Sequence, residues 1–171
     1  ACRELTAVDK HGNGESFKRF AVEPGDLFVG DRAYGVRPGI FHVADVGGDV
    51  LARFAMSNLP LQNPQGGAFD LLRHLRTLRP ARIGQWPVRL EWKERHLSGR
   101  VCAVKKSRQA TEKAQKCIRR KSQKNGSAPR PETLEAAAYT FVFTTVCPED
   151  LSPTQVLEMY RGRWQIELVF K

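Results

Sequence analysis

The sequence predicts an α/β fold whose core is written in two pieces and interrupted by a basic insertion. Three observations carry this. Asp26-Leu-Phe-Val-Gly-Asp31 is a short apolar run closed by a carboxylate, the pattern of a buried strand, and a helical stretch and a second strand follow it after short turns. Residues 139–146, Tyr-Thr-Phe-Val-Phe-Thr-Thr-Val, form the strongest strand by β-branched and aromatic content and lead into a capped helix. Charge is lopsided between these regions. Residues 81–130 hold 15 Lys+Arg against 3 Asp+Glu, while the 171-residue chain has a net charge of +10, so the remainder is slightly acidic.

Taken in order, residues 2–8, Cys-Arg-Glu-Leu-Thr-Ala-Val, alternate and read as a strand. A short helix is expected around Glu15 to Phe20, and a turn at Pro24-Gly25. Pro38 suits the first turn of a helix running to about Val46; Gly47-Gly48 ends it, and Asp49 to Met56 is the next strand. These elements make the first core piece, 1–56. Residues 58–68, rich in Asn, Pro and Gly, are a loop, and Phe69 to Leu78 a short helix. Residues 85–106 alternate about Trp86, Val88, Leu90 and Trp92, then Leu97, Val101 and Ala103, which predicts a β-hairpin turning near Leu97 to Gly99. Gln109 to Lys124 is a basic helix with few large apolar side chains, and Asn125 to Pro131 a flexible connector. Residues 57–138 are therefore expected to form a basic, β-rich insertion subdomain; insertions of this kind enter a core at a loop and carry function. The second core piece, 139–171, is the strong strand plus a helix capped by Ser152, with Pro153 at its first position and Gln155 completing a capping box. That helix meets no stop signal and the chain does not begin with Met, so a piece of a larger protein is expected.

Composition narrows the function. Hydrophobic residues make up 41% of the chain, enough for a real core, and a pI near 9.8 points to an anionic partner, with nucleic acid first among candidates. Cys2, Cys102, Cys117 and Cys147 lie far apart with no C-x-x-C pair, which fits neither a zinc site nor a disulfide framework and suits reduced cytosolic thiols. No apolar run approaches the roughly 20 residues of a membrane span. His11, His42, His74 and His96 show no ligand spacing.

The C-terminal helix is the most informative segment. Tyr160, Arg163 and Glu167 recur at steps of three and four residues, so they share one helix face. A tyrosine, an arginine and a carboxylate stacked this way make a poor core stripe and a good wall for a metal-phosphate site. The blander reading of Glu167 is a solvated partner of Arg163, and of Asp31 a turn residue. Together, however, Asp31-Arg-Ala-Tyr34 resembles a D-R-G-Y block, and Tyr160-x-x-Arg163-x-x-x-Glu167 resembles a Y-(2)-R-(3)-E-(6)-K signature. Both are found in DDE transposases of bacterial insertion sequences, in the branch with a β-strand insertion between the second Asp and the Glu. Val8-Asp-Lys-His-Gly-Asn-Gly-Glu15-Ser and the closing Trp164-Gln-Ile-Glu-Leu-Val-Phe-Lys171 fit as well, so the resemblance spans essentially the whole chain.

The resemblance implies an RNase H-like core, incomplete here, in which three carboxylates hold two Mg²⁺ ions about 3.5–4 Å apart. Asp31 would be the second carboxylate and Glu167 the third, both as metal ligands and catalytic groups; Mg²⁺ as a hard ion takes oxygen ligands. Arg163 would hold a phosphate with its planar fork, Tyr160 would set its hydroxyl on a backbone phosphate, and Arg161 belongs to the same DNA-facing segment. The implied partners are transposon-end and target DNA, and a second subunit in a synaptic complex on the nucleoid. The first Asp of the triad has no match, the signature Lys would fall at position 174, and Ala33 replaces Gly. The chain alone is therefore expected to be inactive. Lys113, Lys116, Arg119, Arg120, Lys121 and Lys124 on the basic helix suit non-specific contact with DNA phosphates or a solvated face. Trp86 and Trp92 suit either a base-stacking platform or the insertion's own core. Two other functions stay open: a catalytically dead DNA-binding remnant, and a structure-selective nuclease on the same core.

Overall fold

The computed structural model describes residues 16–169, with side chains described as far as Arg163. The expected strand at 2–8 lies outside the described residues. Phe17–Arg19 forms a 3-10 turn, followed by β1 (Leu27–Gly30), α1 (Arg37–Asp45), β2 (Asp49–Arg53), α2 (Leu71–Arg76), β3 (Ile83–Trp92), β4 (Arg95–Lys105), α3 (Arg108–Lys124), α4 (Pro131–Ala136), β5 (Tyr139–Thr144) and α5 (Pro153–Val169). The strands make one five-stranded sheet in the order β1-β2-β5-β4-β3, in which β1 and β2 are parallel and the remaining neighbours antiparallel.

The residues expected to form a separate insertion subdomain do not make a sheet of their own. β4 pairs with β5 from Arg100↔Thr144 to Lys105↔Tyr139, so the hairpin extends the core sheet. Segments 57–82 and 106–138 carry α2, α3 and α4; α2 packs into the larger core with Leu71 and Leu75, whereas α3 buries no residue. The reason is edge satisfaction: β5 bonds β2 on one side and would otherwise expose a full row of backbone donors and acceptors on the other. The hairpin also turns elsewhere than expected. Its two central residues are Lys93 and Glu94, both at positive φ (50° and 61°), between Trp92 and Arg95. Lys-Glu lacks the Asn-Gly signature of such turns. The register is set instead by the tip packing onto α1, where Trp92 meets Phe41 at 5.6 Å between ring centroids and Arg95 pairs with Asp45. α4, which follows the connector, has no counterpart in the sequence reading.

Period-two alternation sorts the sheet into two faces. Val50 and Ala52, Val101 and Ala103, and Phe141 and Phe143 face α1 and α2 in the larger core, with Ile40, Phe41, Leu71 and Leu75 opposite them. Leu51, Cys102 and Val142 point the other way and meet Val156, Leu157 and Tyr160 of α5. Phe143 is fully buried, which stabilises the fold by roughly 1.5–3 kcal/mol. Its ring lies over Gly99, where a Cβ would come within 2.5 Å of it.

α5 begins as its sequence dictates. Ser152 N–H donates to Gln155 Oε1 at 2.9 Å, and the Gln155 N–H donates back to Ser152 Oγ at 3.3 Å, a reciprocal cap. Arg100, only 3% exposed, fixes the loop before it by donating to the carbonyls of Val146 (2.9 Å), Cys147 (3.1 Å) and Leu151 and to Gln85 Oε1. Starting from the Thr144 end of β5, α5 runs back across the sheet towards the C-terminal ends of β1 and β2.

Candidate active site at the sheet edge

The C-terminal ends of parallel strands are where α/β sheets gather functional side chains. Asp31 follows β1 there, half-buried, with its Oδ1 accepting the Ala33 N–H at 2.9 Å. This Asx turn occupies Oδ1, and among the described residues no hydrogen bond reaches Oδ2. Ala33 is not at positive φ, so its substitution for glycine costs nothing conformationally. Gly35 is the residue that must be bare: a Cβ there would meet the Arg53 carbonyl oxygen at 2.3 Å. That contact seats the turn after Asp31 on the end of β2.

Alternation decides what shares the face. Leu27 and Val29 of β1 pack towards α5, so Asp31, two residues further on, is in phase with them; Arg53 is in phase with Leu51, and Lys106, just beyond β4, with Cys102 and Val104. Lys106 N–H donates to the Ala138 carbonyl at 2.8 Å and its Nζ to the Ala137 carbonyl at 2.8 Å, anchoring it at this edge. The side chains interact electrostatically as this placement requires. Burial and then Arg53 lower the proton affinity of Arg32, while Tyr160 and Asp31 raise it. Arg32 as a whole is exposed and borders the cleft beside α3 and α4. Lys106 is pushed down to about 8 by burial, then by Arg53 and Arg32. Arg53 and Lys106 escaped the sequence reading because each ends a strand in a different segment, and no motif links them.

The expected site residues on α5 divide. Tyr160 is 4% exposed and belongs to the core with Val156 and Leu157. The stripe is thus good core as far as Tyr160, contrary to the sequence reading, because the ring is a large apolar body whatever its hydroxyl does. Arg163 is half-buried with its guanidinium 5.8 Å from the Tyr160 ring centre, and Arg161 is exposed. Glu167 lies on the α5 backbone seven residues beyond Tyr160; its side chain is outside the described residues. Among the described residues no three His, Cys, Asp or Glu side chains converge.

Elsewhere, Lys113, Lys116, Arg119, Arg120, Lys121 and Lys124 are all exposed on α3. A cleft of about 660 Å³ lies between α3, α4 and the sheet end, lined by Arg32, Phe54, Ile118, Ser122, Arg130 and Phe141, so it connects the basic helix with the Asp31 edge. Trp86 and Trp92 are half-buried against the larger core. Trp86 meets His74 edge-on, and Lys18 and Lys93 sit over the Trp92 ring. Trp86 thus packs within the insertion, whereas Trp92 packs on α1 and the 3-10 turn of the first core piece.

Residues 11–171 match the transposase DDE domain family. The chain belongs to that family. Its mixed sheet with helices on both faces is the RNase H-like arrangement expected of a DDE domain. It is also 28% identical over 165 residues to the transposase for insertion sequence element IS421 of Escherichia coli, and equally to InsL of insertion sequence element IS186A of E. coli strain K12. The matched region covers 93% of this chain and 44–45% of those proteins, so the chain spans less than half the length of these relatives. No helix among the described residues is long and apolar enough to cross a membrane.

Proposed function

We propose that this chain is the part of an insertion-sequence transposase that brings Asp31 and Glu167 to a divalent-metal centre for DNA cleavage and strand transfer. The observation that carries it is the shared face. Strand phase turns Asp31 towards α5, Arg32 interacts with both Asp31 and Tyr160, and α5 continues past Tyr160 in the direction of that edge. Seven residues is nearly two helical turns, so Glu167 follows Tyr160 on the same stripe about 10 Å further along.

Asp31 Oδ2 and the Glu167 carboxylate offer the hard oxygen donors that Mg²⁺ takes, so these two residues would hold the metal. A divalent ion held by Asp31 and Glu167 would supply activation of the attacking oxygen and neutralisation of charge on the phosphoryl group. The residues of this chain do the rest. Arg163 orients a phosphate beside the carboxylates, Tyr160 holds α5 against the sheet so that Glu167 is presented at the edge, and the basic face of α3 feeds DNA along the cleft that Arg32 borders. Substrate ends, target DNA and a second subunit belong to the same reading. No counterpart of the first Asp of the triad is matched in this sequence, so the isolated chain is inactive in this proposal.

Two experiments test it. Joined to an upstream segment that supplies a strand ending in Asp, the chain nicks DNA in a Mg²⁺-dependent way that Glu167→Gln abolishes; cleavage surviving that substitution refutes the role of Glu167. Independently, Asp31→Cys with Glu167→Cys, in a background lacking the other cysteines, binds Cd²⁺ far more tightly than either single variant. Equal binding by the single and double variants means the two positions do not meet.

A further inference from the structure

A cavity of about 370 Å³ lies at the opposite end of the sheet from Asp31, where β5 runs into the loop before α5. Gln85, Pro87, Ser98, Arg100, Cys147 and Pro148 are among its walls. Arg100 brings it a charge without a counterion. The residue is only 3% exposed, and its guanidinium donates to the carbonyls of Val146, Cys147 and Leu151 and to Gln85 Oε1, all neutral acceptors. No ion pair holds it among the described residues. A buried cation normally has a carboxylate beside it, because neutral acceptors offset only part of its desolvation. Those bonds use four of the five guanidinium N–H groups. The fifth is on Nη1, the nitrogen that meets Gln85, itself a wall of the cavity. The other polar groups here are donors too. With Oε1 committed to Arg100, the Gln85 amide nitrogen has no hydrogen bond among the described residues, and neither has the exposed Ser98 hydroxyl. No carboxylate lines the cavity, and Pro87 and Pro148 give it rigid apolar walls.

We propose that this cavity binds a compact organic carboxylate, its carboxyl group on Arg100 and Gln85 and its apolar body against Pro87 and Pro148. The volume is that of a small-ligand site, with a few polar groups set among apolar walls. A guanidinium N–H beside a planar amide matches the two oxygens of a carboxylate. A DNA strand is a poor occupant. The cavity offers one cation, and Glu149 and Asp150 stand exposed on the adjoining loop, where they repel a polyanion. The site is independent of DNA processing at the Asp31 edge. Because Arg100 also holds the loop before α5, a bound carboxylate neutralises the charge at that anchor and braces the start of the helix.

The test alkylates the 171-residue chain with iodoacetamide, follows Cys147 and Cys117 separately by mass spectrometry, and uses benzoate as the probe. Saturating benzoate is expected to slow labelling of Cys147, at the cavity wall, on the order of 10-fold and to leave Cys117 on α3 unchanged. Gln85→Leu keeps the wall but removes the amide, and should raise the benzoate concentration needed about 10-fold. Ser98→Trp, at an exposed position, fills the cavity and should abolish the benzoate effect. Thermal melts followed by circular dichroism confirm that both variants fold. No protection of Cys147 in the folded wild type overturns the proposal, as does unchanged protection in Ser98→Trp. Equal protection by neutral benzamide denies Arg100 its role and overturns it too. If inorganic phosphate protects as well as benzoate, the cavity takes an adventitious ion only, and the assignment to an organic carboxylate falls.

Discussion

Removing the buried Arg100 guanidinium is expected to loosen the start of α5 and lower global stability by about 2–4 kcal/mol. Arg100→Met keeps the packed stem and deletes donors to the carbonyls of Val146, Cys147 and Leu151 and to Gln85 Oε1. Val146 is buried, so its carbonyl loses a partner that water does not replace, at about 1–3 kcal/mol. Cys147 is exposed and Leu151 half-buried. Water reaches those carbonyls, and their loss adds only about 1 kcal/mol in all. Removing a charge from the interior offsets part of this, which keeps the total near the lower end of the range for a broken buried ionic network. The assay is urea unfolding followed by the fluorescence of Trp86 and Trp92, both packed on the larger core. For a chain of this length the shift corresponds to a drop in Tm of about 5–15 °C. Arg100→Lys should rescue little, because a point charge cannot fork across three carbonyls. A loss below about 0.5 kcal/mol for Arg100→Met would refute the view that this residue anchors α5.

Further expectations concern the thiols, the lysine and two glycines. The fully buried Cys102 thiol is pushed up to about 11 by burial, so under native conditions a thiol reagent modifies Cys117 and Cys147 and reaches Cys102 only in denaturant; rapid native labelling of Cys102 would contradict its burial. Cys147 donates to Asp150 Oδ2 at 2.8 Å, which raises its proton affinity, and it should react more slowly than Cys117 at neutral pH until Asp150→Asn removes the difference. Because Lys106 titrates at about 8 when folded and 10.5 otherwise, the cost of its charge is fully present below pH 8. Stability should then rise relative to Lys106→Met as pH passes from 8 to 10.5; parallel pH profiles of the two proteins exclude the shift. Gly35→Ala and Gly99→Ala each force a methyl into occupied space, against the Arg53 carbonyl and the Phe143 ring respectively. Each should cost about 1–3 kcal/mol by overpacking, and only Gly35→Ala should also weaken DNA binding. Equal stability to wild type in thermal melts would show that the neighbours yield freely.

Local signals were legible wherever a residue's neighbours in sequence were also its partners in space. The Ser152–Gln155 cap, Pro38 in the first turn of α1, the basic α3 and the β-branched, aromatic strand β5 all appear where the sequence placed them. The hairpin turn was misplaced because Lys93-Glu94 carries no turn chemistry and takes its positive φ from packing of Trp92 and Arg95 on α1. Likewise, Tyr160 was read as a polar wall residue and is largely core, since only a sheet laid beneath α5 reveals how much of its ring is covered.

The sequence by itself determined the α/β class, the family through its Asp31 and Tyr160–Glu167 motifs, and the position of the basic helix, because motifs, periods and charge runs are properties of neighbouring residues. Only the tertiary structure decided that the insertion's hairpin joins the core sheet, that Arg100 holds the start of α5, and that Asp31 is in phase with the β1 residues packed towards α5. Those three facts depend on strand order and on which face each strand turns to its neighbours, and both are set by pairing between segments far apart along the chain.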